Sequence, residues 1–184
     1  MAVIGKGVVG KSSLTYRFIN YKVPQGHDPT IEDRYKTSTT IKEHLYNIEI
    51  LDTAGEDDYQ NMMDMWINFG EGFLLVFALN DKESFNIIKS KRERVLKGKH
   101  GQETPMVLVG NKQDLKDRQV SYEEAKQLAD LWKIEYIETS AKTGLNCKEA
   151  FEKLAFNIVQ ARIHPKSKCC CNIILFKLIY LIKL

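Results

Sequence analysis

Gly5-Lys6-Gly7-Val8-Val9-Gly10-Lys11-Ser12 is a complete G-x-x-x-x-G-K-[ST] sequence, and its position decides how the chain folds. It lies between a short apolar run, Met1-Ala2-Val3-Ile4, which reads as a buried strand stopped by Gly5, and residues 12–20, which read as a helix with Leu14, Phe18 and Ile19 on its apolar face. Strand, glycine-rich turn and helix in that order make a phosphate loop. The glycines let the backbone wrap with its N–H groups inward, Lys11 reaches the β- and γ-phosphates of a nucleotide, and Ser12 offers its hydroxyl to Mg²⁺. A bare match arises by chance in about one chain of this length in a hundred, and the flanking strand and helix lower that further.

Outward from this loop, residues 23–30 hold Pro24, Gly26 and Pro29 and read as a loop. Residues 35–41 and 45–51 alternate β-branched and aromatic side chains, which predicts two adjacent strands. Residues 72–79 and 105–110 are continuous apolar runs too short for helices, as strands buried on both faces of a parallel sheet should be. Between them, residues 82–98 are helical in composition. Ser121-Tyr122-Glu123-Glu124 has the spacing of a capping box opening a helix to about Trp132. Residues 134–138 predict a strand, and Asn146 a cap for a last helix with Phe151, Leu154, Ile158 and Arg162 at helical spacing. Alternating strands and helices predict right-handed crossovers, helices on both faces, and ligands outside the carboxyl ends of the strands.

The 184 residues are 43% apolar and 28% charged, the profile of one globular domain with a core large enough to stand without disulfides or a structural metal. Cys147 stands alone and Cys169, Cys170 and Cys171 are consecutive, a pattern that cannot staple a fold and fits a reducing compartment. The net charge of +3 is uneven. Residues 164–184 hold four Lys and no acid, which leaves 23 basic against 24 acidic groups in residues 1–163. The globular part is therefore not a nucleic-acid binder on charge grounds, and the basic tail beside cysteines and an apolar run suits an anionic membrane surface.

Asn111-Lys112-Gln113-Asp114 comes straight off the strand at 105–110, which places Asp114 at a sheet edge where its carboxylate can accept from two donors on one face of guanine. Adenine cannot reproduce that pairing, and a buried acceptor left without donors costs the wrong base several kcal/mol. Thr139-Ser140-Ala141-Lys142 follows the next strand and is placed to bring a backbone N–H to the base carbonyl.

Together these motifs resemble the small GTPases of the Ras family, over residues 2 to about 162. Gly5 to Ser12, with Ser13, resemble its phosphate loop; Asp28-Pro29-Thr30-Ile31-Glu32-Asp33 its first switch and effector segment; Asp52-Thr53-Ala54-Gly55 its second switch; Asn111, Lys112 and Asp114 with Ser140, Ala141 and Lys142 its guanine contacts. Gly70-Glu71-Gly72-Phe73 is similar to Ras proper rather than to its Rab, Rho or Arf relatives. The resemblance implies a P-loop NTPase G domain over residues 1–163: an α/β fold with a six-stranded, mostly parallel sheet, one antiparallel edge pairing and about five helices. It implies a monomer that binds GTP and GDP with Mg²⁺, hydrolyses GTP, and acts as a signalling switch on the cytoplasmic face of a membrane, the plasma membrane being expected. Ser12, Thr30 and, through a water, Asp52 would hold the ion. Ala54 and Gly55 would lie at the γ-phosphate, and Lys11, Thr30, Gly55 and Glu56 would serve hydrolysis. Asp28, Ile31, Glu32, Asp33 and Tyr35 would meet effector proteins, which in this family add a strand beside the one after Thr30; a GTPase-activating protein and an exchange factor are the other implied partners.

Several positions depart from that pattern. Glu56 stands where most Ras-like proteins carry Gln to orient the attacking water; a carboxylate cannot donate to the transferring phosphoryl group and adds negative charge beside it. Slow intrinsic turnover and an altered response to an activator are expected, and at the extreme a GTP-binding scaffold with little hydrolysis. No Arg lies between Tyr21 and Thr30, so a partner must supply an arginine finger. Val23 stands where an aromatic ring is expected beside the base, and His27 replaces a usual Tyr, which predicts looser nucleotide. Val8 replaces a second glycine of the phosphate loop. The first strand is short for the family, so an incomplete N-terminus is expected. Cys169, Cys170 and Cys171 resemble a lipidated tail, yet the chain ends Leu181-Ile182-Lys183-Leu184 without a C-a-a-X box; Cys171-Asn172-Ile173-Ile174 would be such a box if residues 175–184 were an extension. As a helix, residues 172–184 would span about 20 Å, short of a roughly 30 Å bilayer core, and would lie in the interface. A phosphate-loop kinase acting on a small metabolite is the remaining rival, and Asn111 to Asp114 argue against it.

Overall fold

The computed structural model describes residues 1–20, 32–55 and 62–164. In chain order the elements are β1 (Ala2–Gly5), α1 (Lys11–Asn20), β2 (Glu32–Ile41), β3 (His44–Thr53), α2 (Met63–Phe69), β4 (Phe73–Ala78), α3 (Lys82–Gly98), β5 (Met106–Asn111), α4 (Tyr122–Trp132), β6 (Glu135–Glu138) and α5 (Cys147–Ile163). The strands form one six-stranded sheet in the order β2-β3-β1-β4-β5-β6. Only β2 and β3 pair antiparallel; every other neighbour is parallel. The expected sheet, its single antiparallel pairing and five helices are all present among the described residues.

Every residue of β1, β4 and β5 is buried, as their uninterrupted apolar sequence requires. Alternation along β4 sorts the core into two layers. Phe73, Leu75 and Phe77 face α2 and α3 with Trp66, Ile67, Phe85, Ile88 and Val95. Leu74 and Val76 face the opposite side with Leu14 of α1 and Phe151 and Leu154 of α5. The sheet thus carries helices on both faces. Four residues suffice for β1 because it sits between β3 and β4, registered with Leu51 and Asp52 on one side and with residues 73–76 on the other.

Strands β2 and β3 run further than their apolar alternation predicts, from Glu32 paired with Thr53 to Ile41 paired with His44. Asp33 and Arg34 lie exposed on the sheet's outer strand, where the backbone ladder continues the strand without apolar alternation. Ser121 caps α4 as expected, its hydroxyl accepting from the Glu124 amide at 3.1 Å. Asn146 does not cap α5 with its side chain: it takes a left-handed conformation (φ 51°) and its Nδ2 donates to the Glu138 carbonyl at 2.9 Å. That bond ties the start of α5 to the end of β6. Among the described residues no helix is long and apolar enough to cross a membrane.

Phe151 stacks on Phe18 with ring centroids 4.5 Å apart and planes within 9°, joining α5 to α1 over the sheet. Phe151→Ala removes a fully buried ring and is expected to cost about 3–5 kcal/mol, seen in thermal unfolding as a Tm lower by about 10 °C.

Candidate nucleotide site

The phosphate loop leaves β1 at Gly5 and re-enters the fold at Lys11, the first residue of α1. Its glycines are fixed by close approach. A Cβ at Gly5 would stand 2.2 Å from the Val76 carbonyl oxygen, and one at Gly10, whose φ is +93°, would stand 2.4 Å from Asn111 Nδ2. Lys11 is buried, and its Nζ donates to the Lys6 carbonyl at 3.0 Å. The far end of β3 closes on the same loop: a Cβ at Gly55 would stand 2.3 Å from the Gly7 amide nitrogen and 2.4 Å from Lys11 Nζ. The segment Asp52 to Gly55 therefore packs directly on the phosphate loop. Val8 adopts φ 63° and is 77% exposed, a left-handed conformation that a β-branched residue tolerates poorly.

Asp52 is fully buried, and neither of its carboxylate oxygens has a hydrogen-bond partner. Burial pushes its pKa up to about 6; the Ser12 hydroxyl and the Lys11 ammonium pull it back only in part. A carboxylate held dry and unpaired beside a serine hydroxyl is a hard-oxygen donor set, and it fits a small divalent cation such as Mg²⁺. Among the described residues no group of three His, Cys, Asp or Glu is gathered to hold a metal ion.

Asn111, the last residue of β5, holds three segments together. Its Nδ2 donates to the Val9 carbonyl at 2.8 Å, and its Oδ1 accepts from the Ala141 amide and the Thr139 hydroxyl, both at 3.2 Å. Ser140 donates to Asp114 Oδ1 at 2.6 Å and accepts from the Thr143 amide at 3.1 Å. The two loops expected at the base are thus bonded to each other and, through Asn111, to the phosphate loop. The Ala141 amide is engaged by Asn111, while the Asp114 carboxylate is oriented by Ser140 and keeps acceptor capacity for further donors. Lys112 stands at φ 68°, and Lys142 is exposed. Beneath Ser140 the Cys147 thiol donates to its carbonyl at 3.2 Å, buried and pushed up to about 11 by that burial.

Sequence reasoning missed the support beneath these loops. Arg118 donates two bonds to Glu138 at 2.8 and 2.6 Å, and the Tyr136 hydroxyl donates to the same carboxylate at 2.8 Å. Burial would raise the Glu138 carboxyl; Arg118 and Tyr136 outweigh it and hold it below the usual range. Glu138 immediately precedes Thr139, so this knot fixes where the second base loop begins. The pairing spans 20 residues, and no local spacing signals it.

Strand β2 lies at the sheet edge with Asp33 exposed and Tyr35 half-buried. Glu32, expected to face a partner, is engaged instead. The Trp66 indole N–H of α2 donates to its Oε2 at 2.8 Å, Arg34 donates to its Oε1 at 2.9 Å, and its side chain is only 16% exposed. The Arg34 guanidinium in turn lies 5.0 Å from the Phe69 ring centre. Asp28, Thr30, Ile31 and Glu56, with Val23, His27, Cys169, Cys170 and Cys171, lie outside the described residues.

A phosphate loop between β1 and α1, with both base loops at the carboxyl ends of β5 and β6, defines a P-loop nucleotide-binding protein. Comparison with protein-family models matches residues 1–160 to the Ras family, and the chain belongs to that family of small GTPases.

Two outcomes test this geometry. Val8→Gly relieves the left-handed strain and is expected to stabilise the protein by about 1 kcal/mol, measured by urea unfolding. Trp66→Phe removes the donor to a carboxylate and part of a buried ring, and is expected to cost about 2–3 kcal/mol. In a Glu32→Ala background the same change should cost about 1.5 kcal/mol less, and a double-mutant cycle reads the difference.

Proposed function

We propose that the chain is a GTP-hydrolysing switch whose nucleotide is held jointly by the phosphate loop and the two base loops. The observation that carries this reading is Asn111, whose one side chain bonds Val9 of the phosphate loop and Ala141 of the base loop. Family membership supports GTP binding and hydrolysis in general.

In this reading the main-chain amides from Gly7 to Ser12, followed by Ser13, receive the phosphates, and Lys11 moves from the Lys6 carbonyl toward the β- and γ-phosphates. Asp114 accepts from two donors on guanine. Ser12, Asp52 and, in the triphosphate state, Thr30 hold Mg²⁺, which supplies neutralisation of phosphate charge when bound. Gly55 packs on Gly7, and in this reading its amide bonds the γ-phosphate. Loss of that phosphate releases Thr30 and Gly55 and changes the surface that effectors meet through Asp28, Ile31, Asp33 and Tyr35. Glu32 joins them only when it lets go of Trp66. The Glu56 carboxylate accepts from the attacking water but donates nothing to the phosphoryl oxygens, so turnover is slow and depends on an activating protein that brings an arginine.

The protein acts as a monomer with effectors, an activating protein and an exchange factor. Residues 164–184, with Cys169, Cys170 and Cys171 as lipidation sites, hold it on the cytoplasmic face of the plasma membrane. The scaffold reading rests on Glu56 alone.

The test is identification of the nucleotide retained on purified protein, followed by single-turnover phosphate release with Mg²⁺. Guanosine phosphates are expected, and Glu56→Gln should raise the rate about tenfold or more. Displacement of bound GTP by ATP overturns guanine selectivity. Equal rates for the two proteins, with and without an activator, overturn the role given to Glu56.

A further inference from the structure

Lys6 sits in the phosphate loop, but its side chain reaches to the start of α3, 75 and 77 residues further along the chain. Its Nζ donates to Asp81 Oδ2 at 3.3 Å and to Glu83 Oε2 at 2.5 Å. Asp81 is fixed from behind. Its Oδ1 accepts from the Ser84 amide at 3.0 Å as the cap of α3, and the Ser84 hydroxyl donates to the Asp81 carbonyl at 2.7 Å and accepts from the Ala78 amide, at the end of β4, at 3.0 Å. Between the two acids, the Lys82 amide donates to Gln119 at 3.1 Å, and the Lys82 ammonium pairs with Glu124 of α4. The start of α3 is therefore an abutment joined to β4 and α4, and Lys6 is tied to it.

The peptide group of Lys6 faces different neighbours. Its carbonyl accepts from Lys11 Nζ at 3.0 Å, and a Cβ at Gly55 would stand 2.4 Å from its carbonyl carbon and 2.4 Å from Lys11 Nζ. One residue thus joins α3, through its side chain, to the place where the phosphate-loop lysine and the end of the β3 segment meet. Both partners of the ion pair stay charged at neutral pH. The Glu83 carboxylate, bonded to the Lys6 ammonium, holds it above the usual lysine range. Burial would raise the Asp81 carboxyl; the Ser84 amide and Lys6 outweigh it and hold it below the usual range.

The Lys6, Asp81 and Glu83 side chains are 30%, 33% and 71% exposed, and pairs so open to water add little to the stability of a whole domain. Their effect is local, on the position of one peptide group.

We infer that Lys6 is a positioning residue for the nucleotide: clipped to Asp81 and Glu83, it holds the phosphate-loop peptide at which Lys11 and Gly55 converge, and so slows nucleotide release. The inference rests on the guanine-nucleotide reading given above. A simpler role for Lys6, as one more positive charge that attracts phosphates, predicts the opposite sign at Glu83. Removing that carboxylate takes negative charge away from the site, so by Coulomb attraction alone the phosphates would be held more tightly. Removing it also opens the clip, and the clip requires faster release.

Release of N-methylanthraniloyl-GDP from the full-length protein with Mg²⁺, chased with unlabelled GDP, reads that sign. Glu83→Ala is expected to speed release about threefold to fivefold, with circular dichroism unchanged. Lys6→Ala should speed it at least as much, whereas Lys6→Arg, which keeps a cation within reach of both acids, should release as the unaltered protein does. In the Lys6→Ala background, Glu83→Ala should bring no further acceleration. Slower or unchanged release from Glu83→Ala overturns the inference and leaves the guanine-nucleotide reading standing. Equal acceleration by Glu83→Ala with and without Lys6 assigns the effect to α3 alone and overturns it as well. If the unaltered protein does not bind the GDP derivative, the reading of the site and the inference fail together.

Discussion

The bond from Asn111 Nδ2 to the Val9 carbonyl, 2.8 Å long and fully buried, is the constraint on which the rest of the site depends. Three loops from distant parts of the sequence must agree in position to a few tenths of an ångström, and each is joined to the others through this one side chain. The bond also dictates its surroundings. Gly10 must be glycine because any side chain there would occupy the space of the amide it faces, and Thr139 and Ala141 must present their donors to the other end of the same amide. A buried amide whose hydrogen bonds are all made is stable, whereas the same group deprived of one partner carries the full penalty of an unpaired dipole. The site is therefore rigid as a unit rather than as a set of separately held loops.

Against that rigid frame stands one unsettled charge. Asp52 is buried with no partner for either oxygen, and burial pushes its pKa up to about 6. The same wall ends at Gly55, packed on Gly7 and Lys11 without room for a side chain. In the proposed reading, nucleotide binding lies at the junction between the base loops and this segment. The Trp66–Glu32 bond extends this junction to the sheet edge, since it makes the α2 helix and the β2 strand share one hydrogen bond.

Much of this was legible because local spacing carries it. The phosphate loop, the buried strands β4 and β5, helix α3 with its bounds at residues 82–98, and the Ser121 cap all follow from patterns within a few residues. What escaped depends on distance through space. Asn146 has the composition of a cap, but a carbonyl at the end of β6 competes for its amide and wins. Arg118 and Glu138 are ordinary surface charges in sequence and a two-bond pair in the fold. Glu32 reads as an effector-facing acid until α2 brings an indole to it, and the left-handed Val8 is strain that no residue pattern announces.

Cys147 gives the base loops a built-in reporter. Its thiol is buried, directed at the Ser140 carbonyl and held almost wholly protonated at neutral pH, so a thiol reagent finds neither access nor nucleophile while the loop is closed. Reaction at that sulfur requires the start of α5 to lift away from Ser140. Its rate consequently measures how often the base pocket opens by local unfolding, a quantity otherwise hidden beneath the stability of the whole domain.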